Sequence, residues 1–125
     1  MENKQLTNEP GQAEKETGQA EKKTGEYAIV LCTCPDKATA RRIARRLVQE
    51  RLAACVQAFP IESVYIWQGE VCEDAEMALL IKSRAQMFPR IAAAIKEIHP
   101  YEIPEIVRLP IADGWPPYLD WIEKV

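Results

Sequence analysis

Cys32 and Cys34 stand two residues apart at the end of an extended run, Tyr27-Ala-Ile-Val-Leu-Cys-Thr-Cys34, and the single histidine of the chain is His99. Alternation along a strand puts both thiols on one face, about 6–7 Å apart at Cα. Two soft sulfurs and an imidazole in one place suit Cu(I) or Zn(II) better than Mg or Ca. The same residues have a plainer reading. Buried cysteines pack as small hydrophobes, and a histidine at a helix C-terminus is stabilised by the helix dipole. The residues leave both readings open. Cys55 and Cys72 do not complete a four-cysteine zinc site, because Cys55 begins a second extended run and Cys72 sits near a hairpin tip. Nucleophilic catalysis fits poorly: His99 would have to activate a thiol or hydroxyl with Glu102 or Glu105 orienting it, and no sharp nucleophile turn is visible.

Whether thiols and imidazole meet depends on the elements that carry them. The run from Leu52 to Ser83 reads as two long strands joined at Gln68-Gly69, with β-branched and aromatic Val64-Tyr65-Ile66-Trp67 before the turn. Centred there, the turn sets Trp67 opposite Glu70, Tyr65 opposite Cys72 and Ser63 opposite Asp74. Arms of about a dozen residues span roughly 40 Å, against a usual strand of about 5–6 residues. Such a hairpin projects past its own core, and its aromatic tip is expected to be covered by a neighbouring subunit. Pro60 predicts a bulge or an edge position in the first arm.

The strand at 27–34 is apolar on both faces, with Ile29 and Leu31 on one and Val30 and Cys32 on the other, as in a central strand. Asp36 caps a helix over about 36–51, whose apolar stripe is Ala40, Ile43, Ala44, Leu47 and Val48. Its Arg41, Arg42, Arg45 and Arg46 read as a solvated face. A second helix covers about 86–98, with Pro89 in its first turn and His99-Pro100 ending it. A fourth strand is expected over 103–109, and Pro116-Pro117 opens a last helix carrying Tyr118, Leu119, Trp121 and Ile122. The order β-α-β-β-α-β is the α+β, ferredoxin-like split βαβ, with strand order 4-1-3-2. In that topology the second helix ends at the sheet edge where Cys32 and Cys34 lie. Two helices cover one face of the sheet, so the other apolar face is expected to pack against identical sheets.

At 125 residues and 47% hydrophobic, the chain allows one domain with one core. A net charge of −3 gives no general pull toward nucleic acid or an anionic membrane. The third strand, Glu76-Met-Ala-Leu-Leu-Ile-Lys82, lacks the aromatic pattern of an RNA-binding sheet. Residues 1–25 hold Leu6 as their only large aliphatic after Met1, and nearly repeat GQAEKET as GQAEKKT. They read as a disordered hydrophilic tail before a domain at 26–125, with no signal peptide or span, hence a cytoplasmic address with free thiols.

Arg51-Leu-Ala-Ala-Cys-Val56, Ser63-Val-Tyr-Ile-Trp67 with Gly69, the strand from Glu76 to Lys82, His99-Pro-Tyr-Glu-Ile-Pro-Glu105 and Tyr118-Leu-Asp-Trp-Ile122 together resemble the CutA divalent-cation tolerance proteins. The resemblance runs from about Tyr27 to Ile122. It implies a ferredoxin-like homotrimer built like the PII signalling proteins, a link to tolerance of copper and other divalent metals, copper binding in some members, and no catalysed reaction. Carried over, the metal-associated positions are Cys32 and His99. Some members have two histidines before Pro-Tyr, whereas this chain has Ile98 at the first; Gln57 stands where Asn is frequent. The resemblance also assigns a pocket between subunits to Cys55, Tyr65, Trp67, Glu76, Lys82, Tyr101, Glu105 and Trp121. A regulatory module holding a small anionic ligand there, and signalling to a protein partner, is the alternative function.

A chain beginning at Glu26 loses only the low-hydrophobicity repeat. Its melting temperature is expected to stay within about 2 °C of full length, since such a segment has no apolar surface to bury. Differential scanning calorimetry of both chains checks this.

Overall fold

The computed structural model describes residues 26–125, so the expected tail at 1–25 lies outside the described residues. The elements are β1 (Tyr27–Cys34), α1 (Lys37–Gln49), β2 (Cys55–Trp67), β3 (Glu70–Arg84), a 3₁₀ turn (Ala85–Met87), α2 (Phe88–Ile98), β4 (Ile106–Pro110) and α3 (Pro116–Lys124). The sheet order is β2-β3-β1-β4, all neighbours antiparallel. This is the expected α+β split βαβ with one helix appended.

Local chemistry explains the boundaries. Asp36 caps α1, its carboxylate accepting from the Thr39 amide at 2.8 Å. The far end of α1 closes when the Leu52 N–H donates to the Leu47 carbonyl, with Arg51 at φ 57° in a left-handed position that usually falls to glycine. The start of the second helix is tighter than expected: Ala85–Met87 is 3₁₀ and the α-helix begins at Phe88, with Pro89 still in its first turn. β4 starts at Ile106, not at 103, because Pro104 holds the approach out of the ladder.

The long hairpin turns where expected, with Trp67 opposite Glu70, Tyr65 opposite Cys72 and Ser63 opposite Asp74. Gln68 and Gly69 both have positive φ, 51° and 81°, the geometry that matches the twist of the flanking strands. Pro60 makes no bulge: the register runs unbroken through Pro60 and Met77, and the proline is tolerated because β2 is an edge strand.

Pleating divides the side chains between two faces. Val30, Cys32 and Cys34 from β1 and Leu79 and Ile81 from β3 join Ile43 and Leu47 of α1 and Ile91 and Ile95 of α2 in the main core. The opposite face carries Ile29, Leu31, Leu80, Val107 and Leu109, none fully buried. One end of it is covered from within the chain, contrary to expectation. Leu119 and Ile122 of α3 pack on Tyr27 there. At the hairpin tip Val64, Ile66 and Val71, on the helix side of the sheet but beyond the helices, are each about two-thirds exposed.

Leu79 is fully buried on the central strand β3, directly opposite Cys32. Leu79→Ala is expected to cost about 3 kcal/mol through lost burial and a residual cavity. Urea unfolding at fixed protein concentration measures it.

Candidate functional site

Two groups of polar and aromatic side chains are positioned by this sheet, one on each face. The first lies at the end of β1. Cys32 and Cys34 share the helix-covered face because they are two apart on a strand, and His99 enters as the residue that ends α2, its amide donating to the Ile95 carbonyl at 2.8 Å. Both thiols and the imidazole are buried. Their ligand atoms all lie within 4.8 Å of one another. Bonds of about 2.3 Å to a single metal would set two sulfurs about 4 Å apart, so closing on an ion takes movement of less than about 1 Å.

His99 uses both ring nitrogens. Nε2–H donates to the Thr33 carbonyl at 2.6 Å, and the Tyr101 amide donates to Nδ1 at 3.2 Å. Together these bonds specify the Nε2–H tautomer and orient the ring. The two thiols share a hydrogen bond, which holds Cys34 below the usual thiol range and pushes Cys32 well above it; burial of Cys32 adds to its rise. Cys55 and Cys72 are free thiols away from this group, one at the start of β2 and the other beside the hairpin turn. Ile98 is half-buried against the main core. It is a packing residue.

The second group lies on the opposite face. A cavity of about 800 Å³ opens between the hairpin and the loop after α2, and Tyr65, Trp67, Glu76, Tyr101 and Glu105 line it. Glu76 accepts from the Tyr101 hydroxyl at 2.8 Å, and Tyr65 donates to Asp74. Burial and then the bond to Glu76 push the Tyr101 phenol up. The bond to Asp74 pushes the Tyr65 phenol up to about 12.

Three of the eight expected pocket residues lie elsewhere in this protomer. Lys82 pairs with Cys55 across the sheet, and its ammonium sits 5.7 Å from the Tyr118 ring, which stacks on Trp121 at 5.6 Å. They form a separate group around α3, because six residues of strand put Glu76 and Lys82 roughly 20 Å apart. Among the described residues of one protomer, Glu62, Glu76, Glu102 and Glu105 line the cavity and no Lys, Arg or His does. Sequence reasoning missed Thr33 and Glu62 as lining residues. Thr33 could have been found from its parity with Ile29 and Leu31; Glu62 carries no such signal.

The family model for the CutA1 divalent ion tolerance protein matches residues 28–125. The chain belongs to this family. It is 52% identical over 97 residues to the divalent-cation tolerance protein CutA of Thermus thermophilus, covering 77% of this chain and 94% of that protein. It is 43% identical over 94 residues to protein CutA of Mus musculus, covering 74% of this chain but 53% of the mouse protein, so it spans about half of that relative. Among solved structures, the periplasmic divalent cation tolerance protein CutA from Archaeoglobus fulgidus superposes with a TM-score of 0.77 at 37% identity, covering 78% and 96% of the two chains. The Thermus thermophilus structure superposes at 0.75 with 52% identity, covering 77% and 94%. Among the described residues no helix is long and apolar enough to cross a membrane.

Ionising Tyr65 would lose its bond to Asp74 and place a second negative charge beside the carboxylate. Its protonated form therefore supports the folded hairpin below about pH 10, and that support is lost as pH rises through about 12. In Asp74→Asn one tyrosine is expected to titrate closer to the ordinary pKa of about 10. Phenolate absorbance of the two proteins, compared between pH 9 and 12.5, shows it.

Proposed function

We propose that this chain is a homotrimeric divalent-cation tolerance protein that binds copper at Cys32 and His99, with Cys34 as an adjacent second thiolate, and contributes to metal-ion homeostasis. The observation that carries the reading is the convergence of two thiols and an imidazole within 4.8 Å. That donor set is soft, which favours Cu(I) over Mg, Ca or Mn. When bound, the metal would supply no reaction here; the role is capture. Binding rather than catalysis is supported by His99, whose two nitrogens are already engaged by backbone groups and leave no free base.

The chain's own residues set the terms of capture. Cys34 contributes the thiol that gives up its proton more readily, and Cys32 the one held back by their shared hydrogen bond. His99 must release either Thr33 or Tyr101 to offer a lone pair, so its net contribution to affinity is smaller than that of a thiolate. Trimerisation is supported by the uncovered apolar side chains of the sheet face and hairpin tip, Val107, Leu109, Val64 and Ile66 among them. The free thiols support a reducing compartment such as the cytoplasm.

Light scattering after size exclusion is expected to give about three times 14.2 kDa at micromolar concentration; a stable monomer would remove the assembly.

Copper competition with a chelator of known affinity tests the site, run on variants that retain the wild-type assembly. Cys32→Ser is expected to weaken Cu(I) binding by about a hundredfold, His99→Gln by about tenfold, and Cys72→Ser not at all. Wild-type affinity in Cys32→Ser would place copper elsewhere.

A further inference from the structure

The outer side of α1 carries a charge that neither the fold nor the metal reading uses. Between Asp36 and Arg51 six basic residues stand against two acidic ones, whereas the hairpin from Cys55 to Ile81 has five acidic residues and no Lys or Arg. Thr39, Ala40, Ile43 and Leu47 bury the inner side of the helix, and Lys37, Arg41, Arg42 and Arg45 are exposed. Lys37, Arg41 and Arg45 follow one another at intervals of four. They form a row in which each charge rises about 6 Å above the last, with Arg42 beside it.

The protomer does not offset this row. Among the described residues the ion pairs of α1 both belong to Arg46, which reaches Glu50 at 3.0 Å and Glu97 of α2 at 2.8 Å. Arg42 lies in the field of Asp36, but that carboxylate is already engaged as the helix cap. Lys37, Arg41 and Arg45 have no carboxylate partner among the described residues. Like charges at i and i+4 weaken a helix, and a cation in the first turn opposes its dipole. Both occur in α1, whose first turn has no acidic residue beyond the cap. Solvation accounts for the exposure of these side chains and not for their stacking in a row.

The surroundings select the kind of anion. α1 covers the sheet face opposite the one on which the trimer reading packs subunits, so its outer side stays open in that assembly. The row is about 12 Å long and one helix wide. In a chain of net charge −3 the remainder is acidic. A nucleic-acid duplex or a bilayer extends well beyond a Debye length of about 8 Å and meets that acidic remainder too. A short segment lying along the row meets the basic groups alone. No Phe, Tyr or Trp stands on α1, so there is no platform for unpaired bases. Arginine forks take carboxylates through two parallel bonds. Carboxylates on one side of an extended chain recur about every 6.6–6.8 Å, which matches the row. Val48, 40% exposed at the far end of the row, adds an apolar contact.

We propose that the outer side of α1 docks a short acidic segment of another protein, its carboxylates held by Arg41 and Arg45, with Lys37 and Arg42 extending the attraction. This surface is separate from Cys32, Cys34 and His99 and does not rest on the metal reading.

Fluorescence anisotropy of a labelled peptide of alternating glutamate and alanine, titrated with the full chain in its native assembly at physiological salt, tests this. The glutamate peptide is expected to bind and its glutamine counterpart not to bind. Raising NaCl to about 0.5 M is expected to weaken the complex by about fivefold or more. A short DNA duplex, and vesicles of four parts phosphatidylcholine to one part phosphatidylserine, are expected to bind about tenfold more weakly than the peptide, or less. Arg41→Gln combined with Arg45→Gln is expected to weaken the peptide by about fivefold or more. Its melting temperature is expected to equal or exceed that of the wild type, because repulsion is removed and no contact is lost. Arg90→Gln combined with Lys124→Gln removes the same charge from α2 and α3 and is expected to leave peptide binding unchanged. Absence of peptide binding to the folded wild type would overturn the proposal, and equal loss in the two double variants would reduce it to net charge. Duplex or vesicles binding as tightly as the peptide would give the face to that polyanion instead. A lower melting temperature in the Arg41 and Arg45 variant would show that these arginines serve the fold, which also overturns it.

Discussion

The pairing of β1 with β3 is the constraint on which both sites depend. With Cys32 opposite Leu79 and Thr33 opposite Ala78, every even-numbered residue of β1 faces the helices and every odd-numbered one faces away. A shift by one residue would turn the thiols out of the core and bring Ile29 and Leu31 into it. What prevents that slip is the packing of Val30, Leu79 and Ile81 against Ile43, Leu47, Ile91 and Ile95. The chemistry at the end of the strand is therefore held by aliphatic contacts that take no part in it.

The two faces are nevertheless connected. His99 sits among the core thiols, but the groups that hold its ring are the carbonyl of Thr33 and the amide of Tyr101, two residues that line the cavity on the far side. Tyr101 in turn reaches Glu76 with its hydroxyl. Any ligand that takes a lone pair from His99 must loosen one of these backbone contacts. The backbone contacts that orient His99 thus come from two residues on the rim of the cavity.

The hairpin has a different relation to the fold. Its inner half is an ordinary part of the sheet, whereas Val64 to Val71 extends beyond anything the helices cover. The turn itself is well specified by Gln68 and Gly69. Val64, Ile66 and Val71 lie on the helix side of the sheet beyond the helices, and Val107 and Leu109 on its other face, so each face carries exposed apolar side chains in the protomer. The bond from Tyr65 to Asp74 belongs to this arm, and it is a diagonal cross-strand pair that the twist of a long ribbon brings together.

Local signals in the chain determined most of the architecture. Period-2 and period-3.6 patterns, Asp36, Pro89 and Gly69 sufficed for element order, hairpin register and the strand order, because each acts over a few residues. They also brought Cys32, Cys34 and His99 to one edge, since the direction of each element follows from the topology. The start of β4 and the 3₁₀ turn before α2 were misjudged, and at Pro60 the edge position, not the bulge, is the one that occurs, because these depend on which ladder positions have a partner. Only the tertiary structure decided that α3 folds over Tyr27, that Lys82 stands with Tyr118 far from Glu76, and that both nitrogens of His99 are engaged. Those outcomes rest on distances between residues separated by tens of positions, and side-chain type carries no record of such distances. Within one protomer roughly 20 Å of strand separates Glu76 from Lys82, so the pocket that the resemblance assigns to both takes them from different subunits.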